Sequence, residues 1–166
     1  MADTPPNLPE PGDLAPDFSL QNQDAKTISL SSLRGGRVVI FFYPKAMTSG
    51  CTVQANAFNA ALPELKQLNA VVLGISPDPV RALKKFQEKE GLDFDLLCDE
   101  DHSVAEKYGV WGEKTNYGRT YLGIHRSQFI IDESGLIIDR TYRVSPRLSV
   151  PEAMQALGLE AGHAAR

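Results

Sequence analysis

Two runs of consecutive apolar residues, rich in β-branched and aromatic side chains, lie at residues 38–43 and 70–76. Runs of this length that are bounded by turn-forming residues are typical of buried β-strands. Each run precedes a stretch with helical character, which begins near residue 52 after the first run and near residue 80 after the second. The pattern therefore predicts two successive strand–helix units, as in sheets that carry helices on their faces.

Shorter patterns predict the remaining elements, and most are bounded by Gly, Pro, Asn, Asp or Ser. They are a hairpin at residues 17–30, a turn at 31–36, a strand at 94–97, a helix at 102–108, a loop at 111–125, a hairpin at 127–142 and a helix at 149–157. Pro63 should break the helix that begins near residue 52. Asp78 and Ser149 should cap the helices that follow them.

The order of these elements predicts an α/β domain with the thioredoxin-like fold. Its mixed central sheet should carry helices on both faces and be preceded by an N-terminal hairpin. At 166 residues the chain has the size of one domain. We expect that domain at residues 12–158, with a flexible lead-in at 1–11 and a frayed tail at 159–166.

Charge and composition exclude several classes of partner. A net charge of −4 leaves no basic surface for nucleic acid or anionic membranes. No apolar stretch approaches the roughly 20 residues that span a bilayer, and the first residues lack a basic and apolar leader. We therefore expect a cytoplasmic protein. In such a chain two cysteines indicate redox or catalytic work rather than a disulfide scaffold.

Cys51 has the most informative position of any residue. It follows the first apolar run after a short segment of polar and small residues, where a helix is about to begin. Unpaired backbone N–H groups and the helix dipole favour an anion at that point. Cysteines at helix N-termini are accordingly enriched in the reactive thiolate form, so the sequence predicts a nucleophilic thiol rather than a buried apolar one.

Pro44, Thr48 and Cys51 have the spacing Pro-x-x-x-Thr-x-x-Cys, which resembles the active-site motif of the peroxiredoxins. Further segments, in the same order, resemble the peroxiredoxin Q group, also called bacterioferritin comigratory protein. They are residues 42–45, 48–52, 74–78, 111–114 and 123–132. The similarity covers nearly the whole chain. It implies a thioredoxin-like fold and a peroxidase that reduces hydrogen peroxide and organic hydroperoxides with electrons from a thiol.

The resemblance also implies a role for each matching residue. Cys51 would attack the peroxide and become a sulfenic acid, while Thr48 and Arg126 would hold the reacting oxygens. Pro44 would shield the sulfur from water, and Gln54, one helical turn after Cys51, would brace the pocket. Without the resemblance, Thr48 fits equally well as a helix cap, and Arg126 as a surface arginine.

The chain departs from the group in its second cysteine. Many members carry a resolving cysteine five residues after the first, where this chain has Asn56, and others carry it in the helix near residues 80–89, which has none here. Cys98 is the other cysteine. Two cycles stay open: an external thiol reduces the Cys51 sulfenic acid, or Cys98 resolves it after local unfolding. We favour the first, in which Cys98 is a buried small hydrophobic residue.

Two other function classes deserve comparison. A thioredoxin-like disulfide oxidoreductase needs Cys-x-x-Cys, but Gln54 occupies the fourth position. An inactive thioredoxin-fold binding module has no use for the set Pro44, Thr48, Cys51 and Arg126. The three histidines lack metal-ligand spacing, so we expect no metal and no other cofactor. The expected partners are a hydroperoxide and a thiol reductant such as thioredoxin or a glutaredoxin-like donor, acting on a monomer or weak dimer.

Overall fold

The two apolar runs form central strands of a seven-stranded sheet in the computed structural model, which describes residue 5 and residues 7–165, with side chains up to residue 158. The strands are β1 (Ser19–Asn22), β2 (Thr27–Ser29), β3 (Arg37–Phe42), β4 (Ala70–Ser76), β5 (Asp95–Cys98), β6 (Trp111–Asn116), β7 (Arg119–Ile124), β8 (Ser127–Ile131) and β9 (Ile137–Thr141). The helices are α1 (Ser49–Ala60), α2 (Leu62–Gln67), α3 (Val80–Glu90), α4 (Ser103–Lys107) and α5 (Ser149–Ala165), and a 3₁₀ turn covers Leu30–Leu33.

The sheet is mixed and has the strand order β2-β1-β5-β4-β3-β8-β9. Strands β3, β4 and β5 are parallel to one another. Strand β8 is antiparallel to β3, and β1 is antiparallel to β5, so a hairpin closes each side of the sheet. This is the α/β sheet with an N-terminal hairpin that the sequence predicts.

Side chains alternate between the two faces of the sheet, because successive residues of a strand point in opposite directions. Val39 and Phe41 of β3 pack under α1, α2, α3 and α5, whereas Val38, Ile40 and Phe42 pack against α4 and the segments before β3. Both faces are covered, which explains why β3 and β4 are apolar almost throughout rather than alternating. The prediction of helices on both faces is confirmed.

The prediction of a loop at residues 111–125 is wrong. Strands β6 and β7 form an antiparallel hairpin there, which pairs only within itself and lies outside the main sheet. Its two-residue turn is Tyr117-Gly118, and both residues have positive φ, at 52° and 77°. That is the backbone of a type I′ hairpin turn, which Asn-Gly or Asp-Gly usually signals. Tyrosine in the first turn position hides the signal.

Two predicted helix caps are also wrong. Pro79, without a side-chain hydrogen bond, is the N-cap of α3, while the Asp78 carboxylate accepts hydrogen bonds from the Ala46 N–H at 2.7 Å and the Ser76 hydroxyl at 2.8 Å. Ser149 is the first helical residue of α5, and its hydroxyl points to buried glutamines instead of to its own helix. In both cases a tertiary partner competes successfully with the local cap. The break at Pro63 is confirmed, since α1 ends at Ala60 and α2 begins at Leu62.

The predicted domain limits stay a prediction, and parts of the lead-in and tail lie outside the described residues. Leu8 is buried, and the Arg140 guanidinium donates to the carbonyls of Leu8 and Pro9, so this part of the lead-in packs on the sheet. The backbone of α5 extends to Ala165, beyond the predicted end near Leu157. Within the described residues, no helix combines the length and apolar character that a bilayer crossing requires.

Gly74, in the middle of β4, admits the ring of Phe41. A Cβ at this position would lie 2.8 Å from Phe41 Cζ and 3.1 Å from Leu96 Cδ2. Phe41 cannot easily yield, because its ring stacks on Phe58 at a centroid distance of 4.7 Å. We expect Gly74→Ala to lower the free energy of unfolding by about 1–3 kcal/mol through overpacking, measured by urea denaturation.

The matched control is Gly158→Ala on α5, where an added Cβ meets nothing within 4 Å. Alanine is the better helix former by roughly 0.5–1 kcal/mol, so this variant should be at least as stable as the parent. A Gly74→Ala variant that also kept the parent's stability would contradict the packing described here.

Candidate active site

The pairing of β3 with β8 brings two predicted site residues to the same end of the sheet. Phe42, the last residue of β3, lies opposite Ser127, the first residue of β8. Arg126 immediately precedes β8, and the loop after β3 leads to Cys51 in the first turn of α1. The Arg126 Nη1 therefore lies 3.4 Å from the Cys51 Sγ and donates a hydrogen bond to it.

Cys51 occupies a place where the backbone itself favours negative charge. Helix α1 begins at Ser49, and Thr48 is its N-cap residue with an extended backbone. The first N–H groups of a helix lack acceptors within the helix, and their dipoles stabilise an anion at that end. The Cys51 side chain has no solvent-exposed area. A thiolate there depends on protein donors rather than water, and Arg126 provides a charged one.

A buried chain of polar groups fixes the direction of Arg126. The same Nη1 donates to the Gln54 Oε1 at 2.7 Å, and the Gln54 Nε2 donates to the Ser149 Oγ at 2.9 Å. The Ser149 hydroxyl donates to the Gln128 Oε1, and the Gln128 Nε2 donates back to the Ser149 carbonyl at 2.9 Å. Gln54, Gln128 and Ser149 are all fully buried, so this relay joins α1, β8 and α5 behind the guanidinium.

Sequence reasoning placed Gln54 near the pocket, and the structure does the same. It missed Gln128, and it assigned Ser149 only a cap on the last helix. A signal was available for Gln128, because this glutamine directly precedes the apolar residues 129–131 of a predicted strand. Buried polar side chains are nearly always hydrogen bonded, so such a residue calls for a polar partner from another element.

Gly50 makes room for the guanidinium. A Cβ at this position would lie 3.1 Å from the Arg126 Nη2 and 3.4 Å from the Pro146 Cγ. Any larger residue would therefore press on the Arg126 head group, which is the group that contacts Cys51.

Thr48 and Pro44 lie in the loop between β3 and α1. Thr48 is exposed, and its hydroxyl donates to the Lys45 carbonyl at 2.7 Å rather than to a group of α1. Pro44 is half-buried beside Tyr43. The Ala46 N–H donates to the Asp78 carboxylate at 2.7 Å, which ties this loop to the segment after β4. The roles of Thr48 and Pro44 toward the sulfur stay predictions.

Tyr43 continues β3 beyond its last ladder residue, since its N–H donates to the Ile75 carbonyl at 3.1 Å. Burial raises the pKa of its phenol far above the usual range, and the Ser76 side chain opposes this only in part. The charges of Asp78, Cys51 and Cys98 raise it further. Tyr43 therefore stays neutral and lies within electrostatic reach of both thiols.

Cys98 ends β5 and pairs with Ser76 of β4. It is half-buried rather than buried as the sequence predicts, and it packs against the same apolar cluster that contains Cys51. Burial raises the pKa of the Cys98 thiol; the backbone N–H groups of Glu100 and Val80 lower it, and the Glu100 charge raises it again. The net effect is upward, so this thiol forms less thiolate at neutral pH than a free cysteine does.

The histidines lack metal-ligand spacing in the sequence. Among the described residues, no group of three or more His, Cys, Asp or Glu could hold a metal ion. His125 lies beside Arg126, and burial together with the Arg143 charge lowers the pKa of its imidazole. The side chain of His163 lies outside the described residues.

Comparison with known proteins agrees with this geometry. Residues 11–140 match the model of the AhpC/TSA family. Peroxiredoxin Bcp of Escherichia coli (strain K12) is 54% identical over 126 residues, which cover 76% of this chain and 81% of that protein. Peroxiredoxin Bcp of Bacillus subtilis (strain 168) is 42% identical over 148 residues, which cover 89% and 94%.

Solved structures with the same fold belong to the same class of protein. One is the bacterioferritin comigratory protein of Xanthomonas campestris, studied for alkyl peroxide reduction, with a TM-score of 0.84 at 32% identity over 92% of this chain and 98% of that one. Another is peroxidoxin BcpB of Mycobacterium tuberculosis, with a TM-score of 0.82 at 34% identity over 91% and 97%. The predicted thioredoxin-like fold is thereby confirmed.

Gly50→Ala should slow the reaction of Cys51 without lowering the stability of the fold. The added methyl displaces the Arg126 head group, a flexible tip that can move without unfolding the chain, while alanine favours the helix. We expect at least a threefold slower alkylation of Cys51 by iodoacetamide at pH 7, because a charged donor to the sulfur is weakened (about 0.7 kcal/mol).

The experiment uses the Cys98→Ser background, so that every alkylated thiol is Cys51. Urea denaturation should show no loss of stability, and Gly158→Ala should alkylate at the parental rate. Parental alkylation in the Gly50→Ala variant would show that the contact between Arg126 and the sulfur does not govern reactivity.

Proposed function

Because the chain belongs to the AhpC/TSA family and is a thiol-dependent peroxidase of the peroxiredoxin class, we propose that Cys51 is its peroxidatic nucleophile. One observation carries the assignment: the Arg126 guanidinium, fixed by the Gln54 amide, donates to the Cys51 sulfur at 3.4 Å. The same guanidinium is then in place for the charge that develops on the leaving oxygen.

The reaction needs no cofactor. The Cys51 thiolate attacks one peroxide oxygen, an S–O bond forms and the O–O bond breaks. The sulfur loses two electrons, and the second oxygen leaves as hydroxide or alkoxide and takes up a proton to give water or an alcohol. Arg126 stabilises negative charge on sulfur before the attack and on oxygen during it, as oxyanion donors do elsewhere.

The remaining predicted residues support this step. Pro44, half-buried at the start of the loop, limits the approach of water to the sulfur. Thr48 supplies a hydroxyl oxygen at the mouth of the site, with its hydrogen engaged by the Lys45 carbonyl. Gln54 orients Arg126 through its side-chain oxygen. These roles depend on the proposal for Cys51, and a result that removed Cys51 from the mechanism would remove them as well.

We favour recycling by an external thiol, with Cys98 remaining reduced. Helix α1 leaves the sheet from the end of β3, whereas Cys98 ends β5, and β4 lies between them. The strand that leads to Cys51 and the strand that ends at Cys98 are therefore not neighbours in the sheet. The buried Tyr43 ring lies near both thiols, and the raised pKa of Cys98 disfavours its attack.

In this cycle the external thiol attacks the Cys51 sulfenic acid, forms a mixed disulfide and releases water. A second thiol then reduces the mixed disulfide and restores Cys51. Thioredoxin or a glutaredoxin-like protein suits this chemistry because each carries reducing thiols. A monomeric chain in the cytoplasm, where such reductants keep thiols reduced, completes the proposal.

The alternative of a disulfide oxidoreductase has no structural support. Its second cysteine would replace Gln54, but that side chain is fully buried and engaged by Arg126 and Ser149. The peroxidase relatives likewise exclude an inactive binding module as the leading interpretation.

Cys51→Ser should abolish peroxide reduction, because the serine hydroxyl is not appreciably ionised at neutral pH and is a poor nucleophile. The assay follows loss of hydrogen peroxide with excess dithiothreitol. Cys98→Ser is the matched control, since it removes the other thiol and leaves the site of Cys51 intact; it should keep the parental rate. Near-parental peroxide loss in Cys51→Ser would remove Cys51 from the mechanism.

The recycling route can be identified from mass. With one equivalent of peroxide and no reductant, the one-cysteine cycle predicts a gain of one oxygen, trapped by a sulfenic-acid reagent, in both the parent and Cys98→Ser. Resolution by Cys98 predicts instead a loss of two hydrogens and a peptide that links Cys51 to Cys98. That peptide in high yield, absent from Cys98→Ser, would overturn the external route.

A further inference from the structure

Lys114 lies on β6 of the hairpin that the sequence did not predict. Its Nζ donates to the Ile124 carbonyl at 2.8 Å. The side chain is half-buried, and its stem crosses Gly123 so closely that a Cβ there would lie 3.1 Å from the lysine Cδ. The ammonium thus contacts the backbone just before Arg126, whose guanidinium reaches Cys51.

The hairpin depends on such contacts for its position. Strands β6 and β7 pair with each other and lie outside the main sheet, and an isolated two-stranded hairpin is marginally stable in water. The His125 N–H donates to the Val110 carbonyl at 2.8 Å, and its ring Nε2 lies 3.1 Å from the Glu113 carbonyl. Together with Lys114, these bonds fasten the hairpin to the segment that carries Arg126.

Lys114 lies close enough to Arg126 and Cys51 for both to affect the pKa of its ammonium. Burial lowers the pKa of its ammonium, and the Arg126 charge lowers it further, whereas Cys51 acts in the opposite direction. His125 also adjoins this group: burial is the main cause that lowers the pKa of its imidazole, and the Arg143 and Lys114 charges add to it.

We propose that Lys114 is a positioning residue for Cys51: its ammonium holds the Ile124 carbonyl, and with it the segment that carries Arg126 to the sulfur. The proposal rests on the roles proposed above for Cys51 and Arg126. The hairpin is then part of the site, although it lies outside the main sheet.

The test compares three substitutions in the Cys98→Ser background. Lys114→Met keeps the apolar stem and removes the charge and the donor. Lys114→Gln keeps a hydrogen-bond donor without charge, and Lys114→Arg keeps the charge. The matched control is Lys85→Met, which removes an exposed lysine on α3. For each variant, alkylation of Cys51 by iodoacetamide is followed by mass between pH 6 and pH 10 (roughly the range of thiol titrations).

Removing the ammonium should loosen Arg126 beside the sulfur, slow the alkylation of Cys51 and move the midpoint of its pH profile upward. We expect a roughly threefold or larger fall of the alkylation rate at pH 7 in Lys114→Met, because a charged donor to the sulfur is weakened, and a smaller fall in Lys114→Gln, which keeps a donor. The rate of oxidation by hydrogen peroxide, followed by stopped flow, should fall by a similar factor. Lys114→Arg should keep most of the parental rate and midpoint, and Lys85→Met should match the parent.

A merely structural lysine would behave differently. Lys114→Met and Lys114→Gln would then keep the parental midpoint, whatever their effect on urea denaturation, and that result would overturn the proposal. A shift in Lys114→Arg as large as that in Lys114→Met would also overturn it, because arginine keeps a charged donor for the Ile124 carbonyl.

The experiments distinguish a failure of this proposal for Lys114 from a failure of the function proposed for Cys51. Alkylation of Cys51 does not require peroxide reduction, so its midpoint reports on Lys114 even if Cys51→Ser were to keep its peroxidase activity. An unchanged midpoint together with an inactive Cys51→Ser would reject Lys114 alone.

Discussion

The antiparallel pairing of β3 with β8 is the constraint on which the site depends. The two strands approach the site from opposite directions along the chain, so the residues after Phe42 and those before Ser127 meet at one end of the sheet. Cys51 and Arg126 come from these two segments. A shift of the register by one residue would turn every side chain of β8 to the other face. The apolar pattern that sets the register therefore also sets the distance between sulfur and guanidinium.

The strand pairing places Arg126 near Cys51, and the buried relay behind Arg126 then fixes the direction of its guanidinium. Gln54, Ser149 and Gln128 satisfy one another in the buried interior. Each of these groups would cost about 1–3 kcal/mol if it were left unpaired, so the relay admits few alternative arrangements. Helix α5, distant in sequence from Cys51, contributes to the site through this relay and through its packing in the core cluster that contains Cys51.

Much of this could be predicted from the sequence, because strong local signals marked it. The apolar runs identified β3 and β4, and Pro63 marked the break between α1 and α2. The failures have two causes. Asp78 and Ser149 carry good capping chemistry, but tertiary partners engage their side chains, and a single sequence does not display such interactions between distant segments. The hairpin of β6 and β7 was missed for a local reason, because Tyr117 is an unusual residue for its turn.

No part of the Cys51 side chain reaches solvent. In the external-thiol cycle proposed above, a protein thiol reaches this sulfur only when the first turn of α1 opens. The rate of regeneration is then the opened fraction multiplied by the rate of attack on the opened form. In that cycle, contacts that keep this turn closed delay the reduction of the sulfur, so the stability of a single helical turn sets the rate of regeneration.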